Sequence, residues 1–162
     1  GVDLIPYLNS ILGGHGVGRL DHVENRLVGI KSREIYEAPA AVALHAAHKS
    51  LEALTLSKDQ ARAKARVAQE YADVVYNGLW FTHHRQDLDA YVRSTQRFVT
   101  GDVRLRVHKG NCTVVGRSSP HSLYQYNLAT YDPGDDYDQA AAEGFITIYG
   151  LPVRTQNQAQ SQ

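Results

Sequence analysis

Glu24 and Tyr36 are the residues of this chain best suited to chemistry, set in the stretch VENRLVGIKSREIYEAP, Val23–Pro39. A carboxylate takes an ammonium group and a phenol gives or accepts a hydrogen bond, so together they can hold a small zwitterion. In one straight strand they would lie about 40 Å apart. They meet only if the chain folds back, and Gly29 lies where it can. A plainer reading of the same residues is a set of edge-strand salt bridges beside a half-buried aromatic, and composition alone favours it.

The other candidates are weaker. His45 and His48, three apart on an expected helix, could share a metal, but no third ligand of suitable spacing accompanies them, so they read as surface or packed residues. His83 and His84 sit at an expected helix start and read as exposed. Cys112 falls in an alternating strand, where a thiol packs as a small hydrophobe, and no histidine or asparagine signature makes it a nucleophile. The run GGHGVG lacks the lysine and hydroxyl residue of a phosphate loop and follows a helix rather than a strand. Arg62, Lys64 and Arg66 read as a solvated helix face.

The elements that must position Glu24 and Tyr36 are legible by period. Leu4, Ile5, Leu8, Ile11 and Leu12 form a helical stripe ended by the glycine run. The segment from Arg19 to Glu37 is strand-like, interrupted by Gly29. Pro39 suits a first helical position, with Leu44, Ala47, Leu51 and Leu54 forming the buried face. Ser57 and Gln60 make a capping box for a second helix, with Val67, Tyr71, Val74 and Val75 buried and Asn77-Gly78 ending it. The segment from His83 to Phe98 reads as a third helix.

The period then changes to two. Val103, Leu105 and Val107 alternate with Arg104, Arg106 and His108, and CTVVG follows across a short glycine turn, which makes a hairpin. YDPGDDYD is a turn cluster, Asp138 caps a further helix, and Gly150 and Pro152 punctuate its end. The polar tail RTQNQAQSQ is expected to be disordered unless a partner orders it. Helices and strands segregate, so the expected fold class is α+β, an antiparallel sheet with packed helices.

Composition bounds the rest. The chain has 162 residues, 43% hydrophobic and 21% charged, with 17 basic and 17 acidic side chains. That is enough chain to bury roughly 70% of its unfolded surface without disulfides. The charge balance argues against a nucleic-acid partner, and no apolar run is long enough to span a membrane. One cysteine excludes an internal disulfide framework. Methionine is absent even at position 1, which suggests a piece of a longer protein.

The stretch GVGRLDHVENRLVGIKSREIYEAP closely resembles the carboxy-terminal part of the argininosuccinate synthase family. So do YNGLWF, TGDVRLRVHKGNCTVVGR, SLYQYNLATYD and AAEGFITIYGLP, in that family's order from about Gly14 to Arg154. KSREIYEAP and NLATYD look more like bacterial than animal members. The resemblance implies an ATP-dependent ligase of arginine biosynthesis, joining citrulline and aspartate with release of AMP and pyrophosphate. It also implies a cytoplasmic homotetramer.

The family's SGGLDTS-type ATP loop and TGKGND-like aspartate segment are not in this sequence. ATP with Mg2+ and aspartate are therefore expected to bind in another part of the protein, and the chain alone is expected to be inactive. The glutamate of the VEN motif and the tyrosine of KSRxIYE match Glu24 and Tyr36. The resemblance implies that they hold citrulline, Glu24 through its ammonium and Tyr36 at the same end. Lys31, Ser32 and Arg33 carry over no ligand role. Residues 1–121 are expected to belong to the synthetase domain and 122–162 to an oligomerisation segment, with Leu128, Phe145, Ile146, Ile148, Tyr149 and Leu151 as candidate contacts. Ala40-Ala41 stands where members often carry glycine, and the polar tail lacks the usual basic ending. The competing class is a stand-alone binding or scaffold module derived from that enzyme.

Overall fold

The computed structural model describes residues 1–129, 134 and 136–161. The chain falls into two compact units, Gly1–Leu123 and Tyr124–Gln162. The first holds α1 (Leu4–Gly14), β1 (Arg19–Asn25), β2 (Lys31–Glu37), α2 (Pro39–Thr55), α3 (Lys58–Tyr76) and α4 (His83–Thr95), then a 3-10 turn (Gln96–Phe98), β3 (Asp102–His108) and β4 (Asn111–Ser118). The second holds α5 (Tyr126–Ala129), α6 (Gln139–Tyr149) and α7 (Leu151–Gln160). The fold is α+β, but its strands form two separate two-stranded antiparallel sheets, β1–β2 and β3–β4, rather than one sheet.

The core lies where α1, α2 and the β3–β4 hairpin meet. Leu12, Val17 and Ala43 are buried there, with Leu8, Val42, Leu105, Val107 and Cys112 packed around them. The expected alternation holds, since Val103, Leu105 and Val107 turn inward while Arg104, Arg106 and His108 face out. Lys109 (φ 43°) and Gly110 (φ 82°) form the two-residue turn with left-handed backbone at both positions, the pattern that matches strand twist. The Gly110 amide then donates to the His15 carbonyl at 2.6 Å, tying the turn to the exit of α1.

The buried face of α2 differs from the expected one. Ala40, Ala43 and Ser50 are buried and Ala47, Leu51 and Leu54 half-buried, while Leu44 is 38% exposed. Small residues let the helix lie close to its neighbours, and this close approach, not the largest apolar side chains, sets the buried face. Asn9 supplies the cap that Ala38 cannot, its side-chain oxygen accepting the Ala40 amide at 2.9 Å. Similarly, Leu4, Ile5 and Ile11 of α1 and Val75 of α3 remain exposed although their spacing is helical. The capping box at Ser57 and Gln60 is present with both of its hydrogen bonds.

Gly18 fixes how the first hairpin leaves the core. Its φ is +86°, and a Cβ there would lie 2.4 Å from the Pro39 nitrogen and 2.7 Å from the Ala38 carbonyl carbon. Its own carbonyl accepts the Ala38 amide at 2.8 Å. An L side chain at left-handed φ costs roughly 1–2 kcal/mol before any overlap. Gly18→Ala is therefore expected to lower the denaturation midpoint markedly. Gly14→Ala, in open helical space, should be neutral or slightly stabilising. Urea titrations followed by circular dichroism compare them, and equal midpoints would contradict this packing.

In the second unit Asp138 caps α6, its carboxylate accepting the Ala140 amide at 3.1 Å and the Ala141 amide at 3.3 Å. The expected disordered tail is instead helical as α7. Gly150 ends α6, and Pro152 falls in the first turn of α7, where its missing N–H costs nothing. Arg154 donates to the Thr147 carbonyl at 2.6 Å, satisfying an acceptor near the end of α6. Half of the expected turn cluster at 131–138, residues 131–133 and 135, lies outside the described residues. No helix among the described residues is long and apolar enough to cross a membrane.

Candidate functional site

β1 and β2 pair from Arg19↔Glu37 to Asn25↔Lys31, and the chain reverses over Arg26–Ile30. Gly29 takes φ +87° in this turn, while the Arg26 amide donates to the Ile30 carbonyl at 2.8 Å. The fold-back that the sequence required is thus a hairpin. Strand alternation sorts its charges onto two faces. Asp21 and Arg33 form a bidentate pair at 2.7 and 2.6 Å, and Lys31 donates to Asn25 at 2.5 Å, all on one face. The other face carries His22, Glu24, Ser32, Glu34 and Tyr36.

Glu24 is 8% exposed, on a strand whose other residues are all exposed. It pairs across the sheet with Ser32, whereas Tyr36 pairs with Leu20. Tyr36 therefore reaches Glu24 diagonally, and its hydroxyl donates to Glu24 Oε1. The imidazole of His22, on the same face, has its ring centroid 6.2 Å from that of Tyr36. On the other oxygen, the Tyr76 hydroxyl at the end of α3 donates to Glu24 Oε2 at 3.1 Å. Arg26 stands 3.5 Å from that oxygen. It is held mainly by Ser32 at 2.7 Å and Glu34 at 2.6 Å.

The electrostatics follow from these contacts. The Tyr36 hydroxyl, above all, holds the Glu24 carboxyl below its ordinary range; burial opposes it, and Tyr76, Arg26 and His22 reinforce it. Donation to Glu24 likewise raises the Tyr36 phenol above its ordinary value. Glu24 is thus a fixed anion at neutral pH. Its contribution to stability is present above the ordinary carboxylate range and is lost as pH falls through the lowered value; that of Tyr36 is present below the ordinary phenol value and is lost as pH rises through the raised one.

Chemically, the site is an oriented carboxylate. It offers about four acceptor directions, and the two hydroxyls use one on each oxygen, leaving room for an N–H donor from outside. Among the described residues no three His, Cys, Asp or Glu side chains converge as metal ligands would. His48 instead faces Glu52 at 3.2 Å, and Glu52 is also held by Lys64 at 2.7 Å and Gln96 at 2.8 Å. His84 faces Glu70 at 3.0 Å. Cys112 is half-buried against the core, and burial pushes its thiol pKa up, which disfavours a thiolate.

Residues 1–156 match the family model described as the arginosuccinate synthase C-terminal domain. The chain belongs to the argininosuccinate synthase family. Its relatives include the argininosuccinate synthases of Dehalococcoides mccartyi (strain ATCC BAA-2266 / KCTC 15142 / 195), 62% identical over 97% of this chain, and of Rubrobacter xylanophilus, 58% identical over 94%. The synthase of Chlorobium chlorochromatii is 56% identical over 98%. The chain spans 39%, 37% and 40% of these curated relatives' own lengths, respectively.

Within this member of the argininosuccinate synthase family, the two residues singled out from sequence do meet. Sequence reasoning missed three partners. Ser32 and Arg26 could have been found by pairing residues across Gly29, since Ser32 stands directly opposite Glu24 and Arg26 begins the turn. Tyr76 carries no local signal: it is fifty-two residues from Glu24 and ends a helix read only for its buried stripe.

Proposed function

We propose that this chain is the carboxy-terminal portion of an ATP-dependent argininosuccinate synthase of arginine biosynthesis, and that its part in the reaction is to hold citrulline. The observation that carries this reading is the buried carboxylate of Glu24, clasped by the hydroxyls of Tyr36 and Tyr76 on an otherwise exposed strand. Glu24 receives the α-ammonium group of citrulline, a charge-assisted contact, and Tyr36 hydrogen-bonds the same end. Both are positioning residues, because they fix the end of citrulline remote from the ureido oxygen that attacks the α-phosphate of ATP. ATP, with Mg2+ to balance its phosphate charge, and aspartate bind in the remainder of the longer protein. The family assignment carries the cytoplasmic, homotetrameric reading.

The test is citrulline-dependent pyrophosphate release. The full-length protein is expected to release it with citrulline, aspartate and ATP, while the 162 residues alone release none above a boiled control. Release by the short chain would overturn this division of labour. Failure of the full-length protein would favour the stand-alone binding or scaffold module instead.

A further inference from the structure

We infer that Tyr76 is a positioning residue for citrulline, its hydroxyl holding the second oxygen of Glu24 so that the carboxylate keeps one plane toward the ligand. The inference rests on the reading of Glu24 as the citrulline carboxylate. Rotation about the terminal torsion of a glutamate is soft and broadly two-fold. A donor on one oxygen leaves the other free to swing. Tyr36 grips Oε1 from within the same hairpin as Glu24, so it moves with that hairpin. Tyr76 grips Oε2 from a different element.

That element is firmly anchored. α3 is a helix of 19 residues with a complete capping box, and Val74, two residues before Tyr76, is 3% exposed. Lys64 pairs with Glu52 of α2, and the Tyr71 hydroxyl donates to Asp89 of α4 at 2.7 Å. The hairpin is less supported: Val23 is 61% exposed and Ile35 is 70% exposed. Tyr76 therefore ties the carboxylate of a sparsely packed hairpin to a well-anchored helix. Its own ring is 49% exposed and lines an open cleft with Arg26, Leu27 and Ile30 of the hairpin tip, so core packing is not its main role. Among the described residues its hydroxyl bonds to Glu24.

Steady-state kinetics of the full-length protein test this, with Tyr76→Phe, Glu24→Gln and the double variant, and citrulline, aspartate and ATP varied in turn. Tyr76→Phe keeps the ring and removes one hydrogen bond to the carboxylate; because that bond acts on citrulline only through Glu24, the KM for citrulline should rise roughly threefold to tenfold. The kcat and the KM for ATP should stay within about twofold of the parent. The acid limb of kcat/KM for citrulline should also move to higher pH, because the carboxylate loses a donor that favours its charged form while Tyr36, Arg26 and His22 remain. In the Glu24→Gln background the Phe exchange should add little. If Tyr76→Phe matches the parent while Glu24→Gln impairs citrulline use, Tyr76 is excluded and the citrulline site stands. Full additivity would mean that Tyr76 acts elsewhere, and silence of both single variants would remove the citrulline site and this inference together.

Discussion

Full-length protein carrying both Phe145→Glu and Ile148→Glu is expected to run as a smaller particle than the parent by light scattering, with its circular dichroism largely kept. The argument comes from the second unit. None of its described residues is buried, yet α6 and α7 expose Phe145, Ile146, Ile148, Tyr149, Leu151 and Val153. Phe145 and Ile148 fall on one helical face, where Tyr149 stacks on Phe145 with ring centroids 5.1 Å apart. An apolar face of this extent on a unit with no buried residue among those described calls for a covering surface, and the homotetramer proposed above would supply one. Two carboxylates buried there without partners would cost far more than the contacts they replace. An unchanged particle mass, or wholesale unfolding, would mean that the face packs within its own chain.

How much of this was legible in the sequence depended on how local the determining physics was. Ser57 with Gln60, Asp138 and Pro39 mark helix starts because a cap is settled within four residues. The β3–β4 hairpin was legible because one buried face imposes a strict period of two. Gly29 marked a chain reversal because left-handed backbone is cheap only for glycine.

What failed was whatever depends on neighbours far along the chain. Leu44 is apolar at a helical spacing, but close packing chose Ala40 and Ala43 instead. The tail looked disordered by composition, yet Pro152 opens a helix as readily as it closes one. In the site, Glu24 and Tyr36 could be proposed because both lie in one hairpin. Tyr76 could not, because only the tertiary fold brings the end of α3 to Glu24.

The most direct measurement is the steady-state kinetics of Glu24→Gln in the full-length protein, each substrate varied in turn. The substitution keeps the shape of the side chain and removes its charge, so the ammonium of citrulline loses a charge-assisted partner. Efficiency toward citrulline should fall roughly tenfold to a hundredfold, with the response to ATP nearly unchanged. Tyr36→Phe should act in the same direction but more mildly, and the double variant should be non-additive because both side chains serve one end of one ligand. Equal losses toward citrulline and ATP would contradict the account, leaving Glu24 and Tyr36 as supports of the hairpin alone.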